Sequence, residues 1–222
     1  LFLIPFFLFF TAQNIPTTFI YTVMVFVMLW WSKFSRKIIM LVSGLTGGLL
    51  LALGIITLQN QVYQRERLLA LLNPEKYSNG AGFMVLRIKE IMSKAGWFGN
   101  PRDQEFIPDA QTNFVFVTFT YYYGWLLAIG LVFILSLFAA RIIVVKSKTN
   151  DLYGRLLLIG AVALYTVQLV CNICMAFGFF PPTAMSLPFI SYGLMPTIFN
   201  AILIGVVLSV YRRKDFVSTR FS

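Results

Sequence analysis

Residues 114–140 read FVFVTFTYYYGWLLAIGLVFILSLFAA, 27 consecutive positions without a charge. At 1.5 Å of rise per residue this run makes about 40 Å of helix, more than a hydrocarbon layer of about 30 Å requires. A helix of that length on a soluble protein shows a polar face, and this one has none. A second uncharged block covers residues 156–211 and is too long for one helix. Pro181-Pro182 and Pro188 interrupt it, which predicts one helix over 156–178 and another over 194–211. Upstream, apolar runs occupy residues 1–12, 15 or 19 to 31, and 38–58. The expected fold class is therefore all-α: a polytopic transmembrane helical bundle of about six spans, arranged as a single membrane domain over 1–222. The first run opens in mid-hydrophobic sequence, without an initiator Met or the basic flank of a signal peptide, so an N-terminal part is expected to be missing.

Composition agrees. Of 222 residues, 59% are hydrophobic and only 12% charged, against about a quarter charged in soluble domains. There is no histidine, which excludes His-based metal sites and catalytic triads within the chain. The two cysteines, Cys171 and Cys174, share one face of the fifth run and suit apolar packing rather than a disulfide framework or redox role.

The charges give an orientation. The segments after the second, fourth and sixth runs alternate onto one side of the membrane and hold eleven basic residues against two acids, Asp151 and Asp215. The other side has seven basic residues against six acids. By the positive-inside rule the basic side, with the C-terminus, is expected to be cytoplasmic. The net charge of +10 is explained by topology and anionic lipid, with no nucleic acid partner. Residues 13–18, 59–113 and 179–193 then lie outside. The large extracytoplasmic loop, 59–113, carries two charged-and-apolar stretches, 59–72 and 83–92, that suit helices at the headgroup level. Turn signals separate them at Asn73-Pro74 and Ser78-Asn79-Gly80.

No Asp, Glu, Lys or Arg falls inside an expected span, which disfavours an ion-coupled transporter. Gln168, Asn172 and Asn200 are the most polar intramembrane side chains and suit interhelical hydrogen bonds. Acid–base chemistry is thus confined to the loop acids. Among these, Asp109 stands out because it sits just before a rigid helix. Arg65, Arg67, Lys76 and Arg102 are candidates to meet a phosphate.

Further motifs narrow the reading. Gln168, Asn172-Ile173, Gly178, Pro181 and Thr183 lead into Leu187-Pro188-Phe189-Ile190-Ser191-Tyr192-Gly193, followed by Asn200, Gly205, Ser209 and Arg212-Arg213. Upstream stand Tyr63-Gln64, Leu72-Asn73-Pro74-Glu75, Gly80-Ala81-Gly82-Phe83, Gly96-Trp97-Phe98-Gly99 and Asp151-Leu152-Tyr153-Gly154. In this order they resemble the SEDS family (shape, elongation, division and sporulation; FtsW, RodA and SpoVE) over nearly the whole chain. The resemblance implies the C-terminal portion of a larger bundle. It also implies a bacterial cytoplasmic membrane protein that polymerises lipid II into glycan strands at the outer face, working with a class B penicillin-binding protein. Pro188, Ser191, Tyr192, Gly193, Gln168 and Asn172 become candidate substrate-binding residues. No cofactor is evident, and a divalent metal holding the pyrophosphate stays open.

The departures bear on activity. The family's Leu-Pro-Glu-x-His-Thr-Asp-Phe stands here as Ile107-Pro108-Asp109-Ala110-Gln111-Thr112-Asn113-Phe114. Asp109 keeps an acid at the Glu position, whereas Asn113 replaces the acid that the resemblance marks as catalytic. An outer Gln-Pro-Asp-Leu-Gly-Thr appears as Gln13-Asn14-Ile15-Pro16-Thr17-Thr18, and Gly-Ser-Ser after Gly193 has become Leu194-Met195-Pro196. An amide cannot accept a proton as a base near neutral pH. Two expectations therefore stand side by side: a glycosyltransferase with Asp109 as its retained acid, and a catalytically lapsed paralogue serving as a scaffold. A lipid-precursor flippase is weaker for want of a midplane charge.

Overall fold

The computed structural model describes residues 15–32, 62–100 and 105–218, together with 35, 37, 39–44, 47 and 48. Among them every regular element is helical: α1 (Ile15–Trp30), α2 (Val62–Leu72), a 3-10 turn (Pro74–Tyr77), α3 (Ala81–Lys94), α4 (Val115–Ser147), α5 (Leu152–Ala176) and α6 (Leu194–Ser218). Val115–Ser147, Leu152–Ala176 and Leu194–Arg213 are long and apolar enough to cross a membrane, and α1 is a shorter apolar helix. The expected run at 1–12 lies outside the described residues, and that at 38–58 is described only at 39–44, 47 and 48, all helical.

Two boundaries differ from the sequence reading for local reasons. α5 begins at Leu152, not 156, because Asp151 caps it: its Oδ2 accepts the Gly154 amide at 2.7 Å, satisfying one of the donors left over in a first turn. α4 runs on to Ser147 and is broken at Gly124 (φ 86°, ψ 167°).

The chain forms two compact units. The first comprises the described parts of Leu1–Lys33, Ile129–Val170 and Met185–Ser222. Small residues let its helices approach: a Cβ at Gly160 would lie 3.0 Å from the Met28 sulfur, and one at Gly154 would lie 3.0 Å from a Val210 methyl. The buried Tyr165 hydroxyl donates to the Leu135 carbonyl at 2.9 Å, tying α5 to α4. Lys146 sits 3.5 Å over the Trp31 ring, a cation–π contact where α4 reaches its charged end.

The second unit comprises the described parts of Phe34–Ala128 and Cys171–Ala184. Here Val85, Ile88 and Ile91 recur on one face of α3 and are buried, as is Ala70 of α2. Full burial of each large aliphatic side chain is worth about 1.5–3 kcal/mol. The expected stretches 59–72 and 83–92 are helical over Val62–Leu72 and Ala81–Lys94, with residues 59–61 outside the described set. The other face of α3 is ionic. Arg87 bonds Glu105 and lies 2.9 Å from Glu90, while Lys94 reaches Glu90 and Glu105 at 2.8 Å each, closing a ring of alternating charge.

The break in α4 belongs to this unit. Residues 96–100 dock into it: Trp125 N–H donates to Gly96 C=O at 3.2 Å, Leu126 N–H to Trp97 C=O at 3.3 Å, and Asn100 N–H to Tyr121 C=O at 2.9 Å. Three backbone groups of α4 at the break are thus paired within the protein, in line with what non-helical backbone in a membrane helix requires. Only glycine fits on either side. A Cβ at Gly99 would lie 2.3 Å from the Tyr122 carbonyl oxygen, and one at Gly124 would lie 2.3 Å from that of Trp97.

Candidate active site

The turn leading into α4 holds the first group of candidate residues. Ile107 and Phe114 are buried and anchor its two ends, leaving Asp109 exposed between them. Asp109 is in the left-handed region (φ 48°), a conformation that costs an ordinary residue about 1–2 kcal/mol and that Asp tolerates better than most. Its carbonyl accepts from Thr112 N–H at 3.1 Å and Phe114 N–H at 3.2 Å, closing the turn. The Asn113 amide donates to Asp109 Oδ2 at 3.2 Å, so the retained acid and the altered position touch. The Asn113 carbonyl accepts from the buried Asn172 side chain at 2.9 Å, which fastens the turn to α5. Asp109, Asn113 and Asn172, singled out separately in the sequence, form one chain of contacts.

Thr118 completes this group and was not legible as a site residue. Its hydroxyl lies 2.9 Å from the Ala110 carbonyl and 3.1 Å from that of Phe114, bracing the turn from α4. The available signal was a Thr four residues after Phe114, the spacing at which a hydroxyl bonds back along a helix.

The second group lies in the other unit. Pro188 and Leu187 are fully buried. Ser191 is buried too, and its Oγ accepts the Leu187 N–H at 2.7 Å while its own N–H donates to the Leu187 carbonyl at 3.1 Å. Phe189, left-handed at φ 66°, places its ring 5.1 Å from Phe138 and 5.7 Å from Tyr165. Tyr165 lies eleven residues before the end of α5, about 16 Å of helix, so this segment dips along α5 rather than passing over it. Tyr192 is the member presented outward, at 74% exposure. Gly193 follows at φ 147°, and Gln168 is half-buried on α5 one turn before Asn172.

Two loop cations, Arg87 and Lys94, are engaged in structure. Hydrogen bonds from Lys94 first and Arg87 second hold the Glu90 and Glu105 carboxyls below the usual carboxylate range. Bonds to Glu105 and then Glu90 raise both Arg87 and Lys94. Of the phosphate candidates, Arg65 and Arg67 lie on α2 and Lys76 on the 3-10 turn, and Arg102 lies outside the described residues. Among the described residues no three His, Cys, Asp or Glu side chains converge, and Asp109 is faced by an amide donor rather than a second carboxylate.

Three helices long and apolar enough to cross a membrane define a membrane-embedded helical protein, with a carboxylate held on a folded loop before one of them. The family model described as "Cell cycle protein" (FtsW, RodA, SpoVE) matches residues 1–215, and the chain belongs to that family. With its apolar helices, this makes it a multi-pass protein of the cytoplasmic membrane. It is 28% identical over 159 residues to the probable peptidoglycan glycosyltransferase FtsW of Trichlorobacter lovleyi, covering 68% of this chain and 41% of the relative. Stage V sporulation protein E of Bacillus subtilis is 28% identical over 155 residues (68% and 42%). Peptidoglycan glycosyltransferase MrdB of Escherichia coli is 27% identical over 165 residues (70% and 44%). A solved structure described as "Structural coordination of polymerization and crosslinking by a peptidoglycan synthase complex" aligns at TM-score 0.70 and 28% identity, over 90% of this chain and 56% of that one. The chain thus spans less than half the length of these curated relatives.

Proposed function

We propose that this chain forms part of a peptidoglycan glycosyltransferase that extends glycan strands from lipid II at the outer face of the cytoplasmic membrane, with Asp109 as general base. The observation that carries the reading is the Asp109–Asn113–Asn172 chain of contacts, which fixes an exposed carboxylate at the mouth of a membrane-spanning helix. In the step proposed, the acceptor sugar hydroxyl attacks the donor's anomeric carbon and Asp109 takes its proton. The bond from that carbon to phosphate breaks, and the lipid pyrophosphate leaves with the electron pair. A positioned base of this kind is worth about 10²–10⁴-fold in rate. Tyr192, exposed on its own turn, is proposed separately to touch sugar. The excess of basic residues on the other side of the bundle supports an outward-facing loop. A class B penicillin-binding protein is the proposed partner, in line with the synthase complex that the fold resembles.

The test is lipid II polymerisation by the full-length protein with its partner. Asp109→Asn keeps a side chain suited to the left-handed backbone and should reduce glycan product about 10²-fold or more. Asn113→Asp should raise it. Unchanged product in Asp109→Asn removes the assigned base. Asn113 itself favours a second reading, a family member retained as a scaffold for cell-wall synthesis, since its amide cannot take the proton. That reading expects no product from the parent chain and intact binding of the partner.

A further inference from the structure

The break in α4 marks a change of surroundings. Before it, Phe116, Val117 and Tyr121 are buried at 3% exposure or less; after it, Leu126, Ile129 and Phe133 are exposed at 56% or more. A span of about 20 residues crosses the hydrocarbon layer, and the 20 residues that precede Arg141 begin at Tyr121, beside the break. Tyr121, Tyr122, Tyr123 and Trp125 flank the same point, the residue types that collect at a membrane–water boundary. The 96–100 loop docks there through its backbone, and that docking uses its polar groups inward. What it turns outward is two aromatic rings, Trp97 at 68% exposure and Phe98 at 84%.

We propose that the 96–100 loop is a lipid anchor. Trp97 and Phe98 seat among phospholipid chains and headgroups of the leaflet on the loop side, beside the break in α4. The Gly99–Gly124 contact sets their depth, because neither glycine can carry a side chain there without striking backbone. The anchor holds the loop at a fixed height whether or not the protein polymerises glycan.

Full-length protein with Trp97 as its only tryptophan (Trp30→Phe, Trp31→Phe and Trp125→Phe in this chain) is reconstituted in phosphatidylglycerol–phosphatidylethanolamine vesicles containing brominated acyl chains. Bromines near the headgroup should quench Trp97 about twofold more than bromines near the chain end, as for interfacial aromatics. A polarity-sensitive fluorophore on Phe98→Cys, in an otherwise cysteine-free chain, gives an independent reading that leaves every tryptophan in place. It should emit as in lipid. Quenching by aqueous iodide with none by bromolipid overturns the proposal, as does a water-like fluorophore signal. Shielding that develops only when the partner protein is added overturns it too, and assigns the rings to a protein interface.

Discussion

Ser191 and Tyr192 are neighbours in sequence with different tasks. Ser191 spends its oxygen on the Leu187 amide inside a buried turn, whereas the Tyr192 ring is presented outward. Ser191→Ala strands a buried donor, at a cost of about 1–3 kcal/mol, and should lower the melting temperature in detergent by several degrees. Tyr192→Phe should leave melting unchanged and, if the ring's hydroxyl meets sugar, reduce turnover alone. Equal melting of both variants would mean that the Ser191 bond contributes nothing. The glycine pair at Gly99 and Gly124 is the harsher case. A methyl at either position meets a carbonyl oxygen at 2.3 Å, with backbone on both sides unable to yield. Gly124→Ala should therefore expose the loop to protease between α3 and α4, and an unchanged digestion pattern would show that the loop docks by other means.

The ionic ring on α3 supplies a prediction at the scale of an element. Glu90 and Glu105 are held below their ordinary values by Lys94 and Arg87, so the ring's stabilisation is complete at neutral pH. It persists down to the ordinary carboxylate range, about 4.3, and is lost as pH falls through the lowered folded values. Glu105→Gln should melt below the parent at pH 7, with the difference closing as the buffer is made strongly acidic. A difference constant with pH would show that packing, not charge, is at stake. Elements also show where the sequence was legible. Length without charge revealed α4, α5 and α6, because a lipid span has one dominant requirement. Counting uncharged residues misplaced the start of α5, since Asp151 and Arg155 interrupt the apolar run yet Asp151 is the cap that begins the helix. The break at Gly124 was invisible, because a glycine within an aromatic run reads as an ordinary span. What makes it a break is a loop 25 residues earlier, and periodicity along one helix carries no trace of that partner. The candidate site was half legible for the same reason. Asp109 and Asn113 are four residues apart and readable together, but the Asn172 contact joins residues 59 positions apart.

At the scale of the molecule, orientation is the property to measure. In a background with Cys171→Ala and Cys174→Ala, a cysteine at Asn79 should react with an impermeant maleimide on intact cells. One at Ser147 should react only after the membrane is opened. The reverse pattern would put the Asp109 turn in the cytosol, away from any extracellular sugar donor. The first portion of α4 adds a consequence of its own. From Val115 to Gly124 is nine residues, about 14 Å of helix between the Asp109 turn and the break proposed to lie at the bilayer surface. On that proposed placement, with the helix upright, the turn that carries Asp109 stands clear of a headgroup layer about 5–7 Å thick. For the proposed glycosyl transfer, a donor whose polar portion projects well into the aqueous space would bring its reacting carbon up to that level. Stature alone thus sorts the molecules of the leaflet before any hydrogen bond is made.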